Sequence, residues 1–144
     1  KKRDFFQKLA PIILEEDFNN YFLVNKNVYK NLEWMGTICE AKQELYNKYK
    51  PVIHVDGTCR TQIIKDNNLL VYKILKYLKK FNCSFLVNTS FNVRGEPIVC
   101  TIEDAFRCFM GTNLDILVCE NFILYKEKQD QDLIANYKNK FELD

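Results

Sequence analysis

Glycine and proline are scarce, four and three in 144 residues. That excludes a flexible Gly/Ser linker or a Pro-rich spacer, and no repeat or low-complexity stretch stands in for one. No apolar run approaches the ~20 residues that cross a bilayer as a helix, and the opening lacks the pattern of a secretory signal. There is a single histidine, His54, so a metal site built on it would need carboxylates or thiols from elsewhere in the chain. No two of the six cysteines, Cys39, Cys59, Cys83, Cys100, Cys108 and Cys119, have C-x-x-C spacing. That argues against zinc ribbons and dithiol redox motifs. A formal charge of only +2 gives no whole-chain electrostatic case for nucleic acid, so nucleic acid is not expected as a partner, though local basic patches stay open.

What is present is enough to build a core. Aromatic residues make up 14% and hydrophobic residues 47% of the chain, a composition of folded rather than disordered protein. Cysteines inside apolar stretches act as small hydrophobes, and free thiols in a reducing, cytoplasmic compartment are expected. The chain opens on Lys1 rather than Met, which suggests a piece of a longer or processed protein. The expected organisation is one domain over residues 1–126, followed by a polar tail, 127–144, with Leu133, Tyr137 and Phe141 at helical spacing.

Periodicity places short helices over Glu15–Phe22 and Ala41–Tyr49, the second ended by Pro51, with the rest of 23–50 ambiguous. Val52–Ile64 reads as a strand. Leu69–Phe81 reads as a helix with Leu70, Ile74 and Leu78 on its buried stripe, Val71 and Leu75 beside it, and a solvated face of Lys73, Lys76, Lys79 and Lys80. Short strands are expected at Ser84–Val87 and Ile98–Cys100. A helix should start at Thr101 with the S/T-x-x-D form of a capping box, bury Ile102, Ala105, Phe106 and Phe109, and be capped by Gly111. Ile116–Cys119 and Phe122–Tyr125 around Glu120-Asn121 suit a hairpin. This alternation predicts an α/β (α+β) class with a mixed sheet. Leu69–Phe81 would be a crossover between parallel strands, and the helix after Thr101 a second one.

Three segments bear chemistry. Along an extended Val52–Ile64, His54, Asp56, Thr58, Arg60 and Gln62 share one face and Val55, Gly57, Cys59, Thr61 and Ile63 the other. Five polar groups in a row suit one wall of a polar cleft, with Arg60 able to grip an anion. The run from Asn88 through Ser90 and Asn92 to Pro97 begins where an apolar strand stops, a position at which α/β sheets bind ligands. Its hydroxyls, amides and loop N–H groups could hold phosphate, with Gly95 easing the turn. Its other reading is a polar turn whose Asn side chains bond their own backbone. Lys1 and Arg3 would point the same way from an extended segment and could cradle a polyphosphate; a frayed terminus is the competing reading.

These segments together resemble the C-terminal domain of the NodU-like O-carbamoyltransferase family, a domain similar to the YrdC fold. Two stretches carry the likeness: His54-Val55-Asp56-Gly57-Thr58 with Arg60 and Gln62, and Asn88-Thr89-Ser90-Phe91-Asn92-Val93 with Gly95-Glu96-Pro97-Ile98-Val99, then Thr101, Glu103, Asp104 and Ala105. Leu114-Asp115, Leu117 and Lys126 fit the family's ending, and Lys1, Arg3, Ala10 and Pro11 its opening. The opening departs from the pattern at Gln7 and Lys8, where the family has Arg and Pro.

The resemblance implies the activating half of a two-part enzyme. This half would form carbamoyl-adenylate from carbamoyl phosphate and ATP, with Mg²⁺ accompanying the ATP and no metal site of its own. An N-terminal transfer domain, a metal-binding partner outside this chain, would pass the carbamoyl group to a hydroxyl of a sugar or natural product. Lys1, Arg3, Arg60, Ser90 and Asn92 would bind nucleotide and carbamoyl phosphate. Arg60 and Ser90 would be catalytic and meet in one pocket, and His54, Asp56, Thr58 and Asn88 would line the wall. The alternative implied is a catalytically weak nucleotide- or RNA-binding module of the YrdC-like kind.

Overall fold

Ala10–Leu14, a stretch without a charge, forms strand β1 and lies at the centre of the first sheet. The computed structural model describes residues 8–93 and 96–138, which fall into two compact units, 8–89 and 90–138.

β1 is covered on both faces, as a near-continuous hydrophobic run requires. Ile13 packs with Phe18, Phe22 and Ile63, whereas Leu14 packs with Ile64 and Leu75. The chain continues through α1 (Glu15–Tyr21), β2 (Phe22–Leu23), a 3-10 helix (Lys26–Trp34), β3 (Cys39–Ala41) and α2 (Gln43–Lys48). A 3-10 turn (Lys50–Val52), β4 (Thr58–Cys59), β5 (Gln62–Ile64), α3 (Leu70–Leu78) and β6 (Leu86–Asn88) complete the first unit. The sheet is mixed, as expected. It has the order β5-β1-β6, with β5 parallel and β6 antiparallel to β1. A second sheet, β2-β3-β4, is antiparallel throughout.

Several expectations are overturned. Val52–Ile64 is not one strand. Pro51 sits in the 3-10 turn, Gly57 takes a φ of +86°, and the two strands that remain belong to different sheets. Nor is α3 a parallel crossover, because β1 lies between β5 and β6 and those two run in opposite senses. Its buried side is Leu75, with Val71 and Tyr72 packed alongside, while Leu70 and Ile74 are exposed. Lys76 of α3 and Lys79, which follows its last residue, do more than face solvent: Lys76 holds Glu16 at 2.8 Å, and Lys79 holds Glu16 at 2.9 Å and Asp17 at 2.8 Å, which ties the end of α3 to α1.

In the second unit, α4 (Ile102–Gly111) starts with the expected capping box. Asp104 N–H donates to Thr101 Oγ1 at 3.1 Å, and Thr101 N–H donates back to Asp104 at 3.2 Å. Its buried positions are Ala105, Cys108, Phe109 and Met110, whereas Ile102 is exposed. Gly111 is the last helical residue rather than the cap; Thr112 takes that place, and its hydroxyl donates to Cys108 O at 2.7 Å. Ile98–Cys100 is not part of a sheet. β7 (Ile116–Cys119) and β8 (Phe122–Tyr125) form the expected hairpin around Glu120-Asn121. Among the described residues they pair only with each other, so α4 does not connect two parallel strands there. A short 3-10 turn leads to α5 (Gln131–Lys138), the helix expected in the tail, which packs on α4 with Leu133 half-buried. Phe141 lies outside the described residues. Among those residues, no helix is long and apolar enough to cross a membrane.

Lys126, one of the residues shared with the family's ending, closes the C-terminus of α4. Its ammonium donates to the carbonyls of Phe109 and Thr112, the latter at 2.8 Å, and stands 4.4 Å from the centre of the Phe109 ring. A cation there meets both the orphan carbonyls and the negative end of the helix. Lys126→Met keeps the stem but strands those acceptors. It should cost about 2 kcal/mol, read as a lower urea midpoint with an unchanged slope.

Candidate functional site

Residues 54–58 close a tight turn. His54 N–H donates to Thr58 O at 2.7 Å and Gly57 N–H to His54 O at 3.0 Å. Asp56 Oδ1 accepts from the backbone N–H of Thr58 at 3.0 Å and from its hydroxyl at 2.8 Å. Because that hydroxyl gives its one proton to Asp56, it accepts from His54 Nδ1, 2.8 Å away. The two Thr58 bonds, the backbone one foremost, hold the Asp56 carboxyl below its ordinary range. His54, Asp56 and Thr58 therefore do come together, but through closure of a turn rather than alternation along a strand.

Tyr46 on α2 holds this turn from behind, a role its sequence position did not signal. Its hydroxyl donates to Val55 O at 2.8 Å, and its ring Cε2 and hydroxyl oxygen would lie 3.0 and 3.1 Å from a Cβ placed on Gly57. Gly57→Ala therefore meets both a left-handed backbone and an aromatic ring. The expected loss is about 1–2 kcal/mol, measurable as a lower thermal midpoint.

Arg60 follows immediately, where the chain leaves the second sheet for the first. It is exposed, and among the described residues its guanidinium makes no hydrogen bond or ion pair. Its neighbours on either side turn inward: Cys59 and Thr61 are fully buried. From Thr58 to Ile63 the expected alternation of faces holds, with Cys59, Thr61 and Ile63 buried and Arg60 outward.

The first motif meets the start of the second across β1. Asn88 Nδ2 donates to Gln62 Oε1 at 2.8 Å, and Gln62 Nε2 donates to Glu33 O at 3.2 Å. The register explains this, since Gln62 pairs with Ile12 on one side of β1 and Asn88 with Ala10 on the other. Gln62 was visible as a polar residue beside Ile63-Ile64, but its partner was not.

Ser90 and Asn92 belong to the second unit. Ser90 is exposed. Asn92 Nδ2 donates to Val93 O at 3.0 Å and Glu96 O at 2.9 Å, and Val99 N–H donates to Phe91 O at 2.9 Å. In this arrangement the Asn92 amide shapes its own loop. Lys1, Arg3, Gln7, Arg94 and Gly95 lie outside the described residues. A groove of ≈ 520 Å³ between α4 and the hairpin is lined mostly by apolar side chains such as Phe106, Leu117, Phe122 and Leu124, with Glu103 and Arg107 among them. With one cation offset by a carboxylate, this mostly apolar lining does not suit a polyphosphate.

Residues 1–126 match the pattern of the family described as "Carbamoyltransferase C-terminus". The chain belongs to the carbamoyltransferase C-terminal family. An uncharacterized protein of Synechocystis sp. is 36% identical over the whole chain, which covers 26% of that relative. Nodulation protein NolNO of Sinorhizobium fredii is 34% identical over 88% of this chain and 19% of its own length. Nodulation protein NolO of Bradyrhizobium diazoefficiens is 34% identical over 88% of this chain and 23% of its own length. The chain thus spans about a quarter of the length of the curated relatives it matches. In this carbamoyltransferase C-terminal chain, the described parts of the family motifs are the turn at 54–58, the Arg60 exit, the Gln62–Asn88 bridge and the loop residues 89–93 and 96–99.

Proposed function

We propose that this domain is the activating half of an O-carbamoyltransferase, producing carbamoyl-adenylate from carbamoyl phosphate and ATP. One observation carries the reading: Arg60, inside a family motif, presents a charged fork that no described residue occupies. Such a group is suited to carboxylate or phosphate oxygens, which accept two parallel N–H bonds from it.

Water attacks the carbamoyl carbon of carbamoyl phosphate, forming the new C–O bond of carbamate and expelling inorganic phosphate, with one proton released. Attack of a carbamate oxygen on the α-phosphorus of ATP forms the acyl–phosphate bond and expels pyrophosphate. The step needs alignment and charge neutralisation more than a side-chain nucleophile. Arg60 would hold the carbamoyl or phosphate oxygens. By resemblance, Ser90 and Asn92 take the α-phosphate, Lys1 and Arg3 the polyphosphate, and His54, Asp56, Thr58 and Asn88 shape the wall. Mg²⁺ would arrive on the phosphates rather than in a cage of protein ligands. Transfer to a hydroxyl belongs to the remaining polypeptide of a full-length enzyme.

The test is incorporation of labelled pyrophosphate into ATP by this chain. Exchange that requires carbamoyl phosphate supports the reading. ATP binding by calorimetry without any exchange would instead support a nucleotide- or RNA-binding module, the reading that Gln7 in place of the family's Arg favours.

A further inference from the structure

Cys39 and Cys59 face each other across the β3–β4 pair, in direct register. Their sulfurs are 3.4 Å apart, and the Thr61 hydroxyl stands 3.1 Å from each. All three residues are buried, and both cysteines are free. Opposed residues of an antiparallel pair have Cα atoms about 4.5–5.5 Å apart, inside the span that a disulfide bridges. Small side-chain rotations, without strand movement, bring the sulfurs to bonding distance.

Burial does not seal the pair off. Cys39, with Leu23, Val24, Val28, Ile38 and Thr58, lines a pocket of ≈ 300 Å³ in the same unit. Cys39 contributes to the wall that a small oxidant entering there would meet, and Cys59 does not. Of the two, Cys39 is also the sulfur whose thiolate the pairing favours. Its hydrogen bond from Cys59 pulls its pKa down, and the same interaction pushes the Cys59 thiol up. Thr61 can donate its proton to a Cys39 thiolate while keeping its place beside Cys59.

We propose that Cys39 and Cys59 form a reversible dithiol–disulfide site for small peroxides. The Cys39 thiolate attacks one peroxide oxygen, breaking the O–O bond and leaving Cys39 as a sulfenic acid, with water released from hydrogen peroxide after proton uptake. The Cys59 sulfur then attacks Cys39 Sγ, loses its proton and displaces the sulfenic oxygen as a second water. Two thiols are oxidised and one peroxide is reduced. The product staples β3 to β4 one residue before Arg60, and a thiol reductant reverses it. This site does not depend on the carbamoyl reading.

The experiment treats the folded chain, dilute enough to suppress bonds between molecules, with hydrogen peroxide and maps disulfides by peptide mass spectrometry. The expected result is a Cys39–Cys59 bridge as the main intramolecular product, with loss of two of the six thiols and recovery of both in dithiothreitol. In the Cys59→Ala chain Cys39 should stop at the sulfenic acid, trapped by dimedone. Denaturing the wild-type chain first should remove the preference for this pair. Peroxide that consumes exposed Cys100 while Cys39 and Cys59 stay reduced would overturn the proposal, as would native-state pairing no more selective than in denaturant. Because the wild-type map decides by itself, a variant that fails to fold does not protect the idea.

Discussion

Arg60→Ala should lower carbamoyl-phosphate-dependent pyrophosphate exchange by at least ~100-fold, the scale of losing one preorganised charge stabiliser, and leave stability nearly unchanged. Both halves of that expectation come from the same geometry. The guanidinium is exposed and bonded to no described residue, so removing it strands nothing and costs within about 0.5 kcal/mol. The backbone around it stays pinned, because Cys59 and Thr61 on either side are buried and β4 and β5 are each paired. Arg60→Lys keeps the charge but not the planar fork, so it should recover only part of the rate. Steady-state exchange and urea unfolding on the same preparations separate the two effects. If the alanine variant exchanged as fast as the parent, Arg60 would have no part in the chemistry. If it unfolded instead, its role would be structural.

The largest stability effect is expected at Phe18. This ring, carried by α1, is fully buried in the cluster that holds Ile13 of β1, 5.5 Å from the Phe22 ring and 5.5 Å, edge-on, from Tyr29. It joins the first sheet to the 3-10 helix, so no single neighbour can relax into the space it leaves. Phe18→Ala should cost about 3–5 kcal/mol, a large share of the ~5–15 kcal/mol that holds a typical domain together. Phe18→Leu, which refills much of the volume, should cost well under half of that. Urea unfolding curves give both numbers. A loss below ~1 kcal/mol for the alanine variant would mean that Phe18 is not the keystone of this core.

Elements whose signals are local were legible in the sequence. Leu14, Phe18 and Phe22 mark α1, Thr101 and Asp104 declare the start of α4, and Glu120-Asn121 separates two apolar strands that pair as a hairpin. The alternation Cys59–Arg60–Thr61 correctly puts the guanidinium outward and its neighbours inward. The motif residues themselves were also readable, since the family likeness lies in residue identities and spacings over 1–126.

What failed was the reading of the turn at 54–58 and of pairings that needed a partner from far along the chain. Period-two polarity from His54 to Gln62 fits a strand, but a glycine at φ +86° and an Asp–Thr–His set of hydrogen bonds fold half of it into a turn. The stripe of α3 was misplaced because Leu70 and Leu75 are equally apolar, and only the position of Leu14 and Ile64 decides which is covered. Residue chemistry alone thus determined the class, the capping box of α4, the Glu120-Asn121 hairpin and the family. Strand order, the Gln62–Asn88 bridge and the opposed Cys39–Cys59 pair were decided by tertiary packing. Side-chain periodicity states which face is apolar, whereas the surface that covers it is supplied by residues tens of positions away.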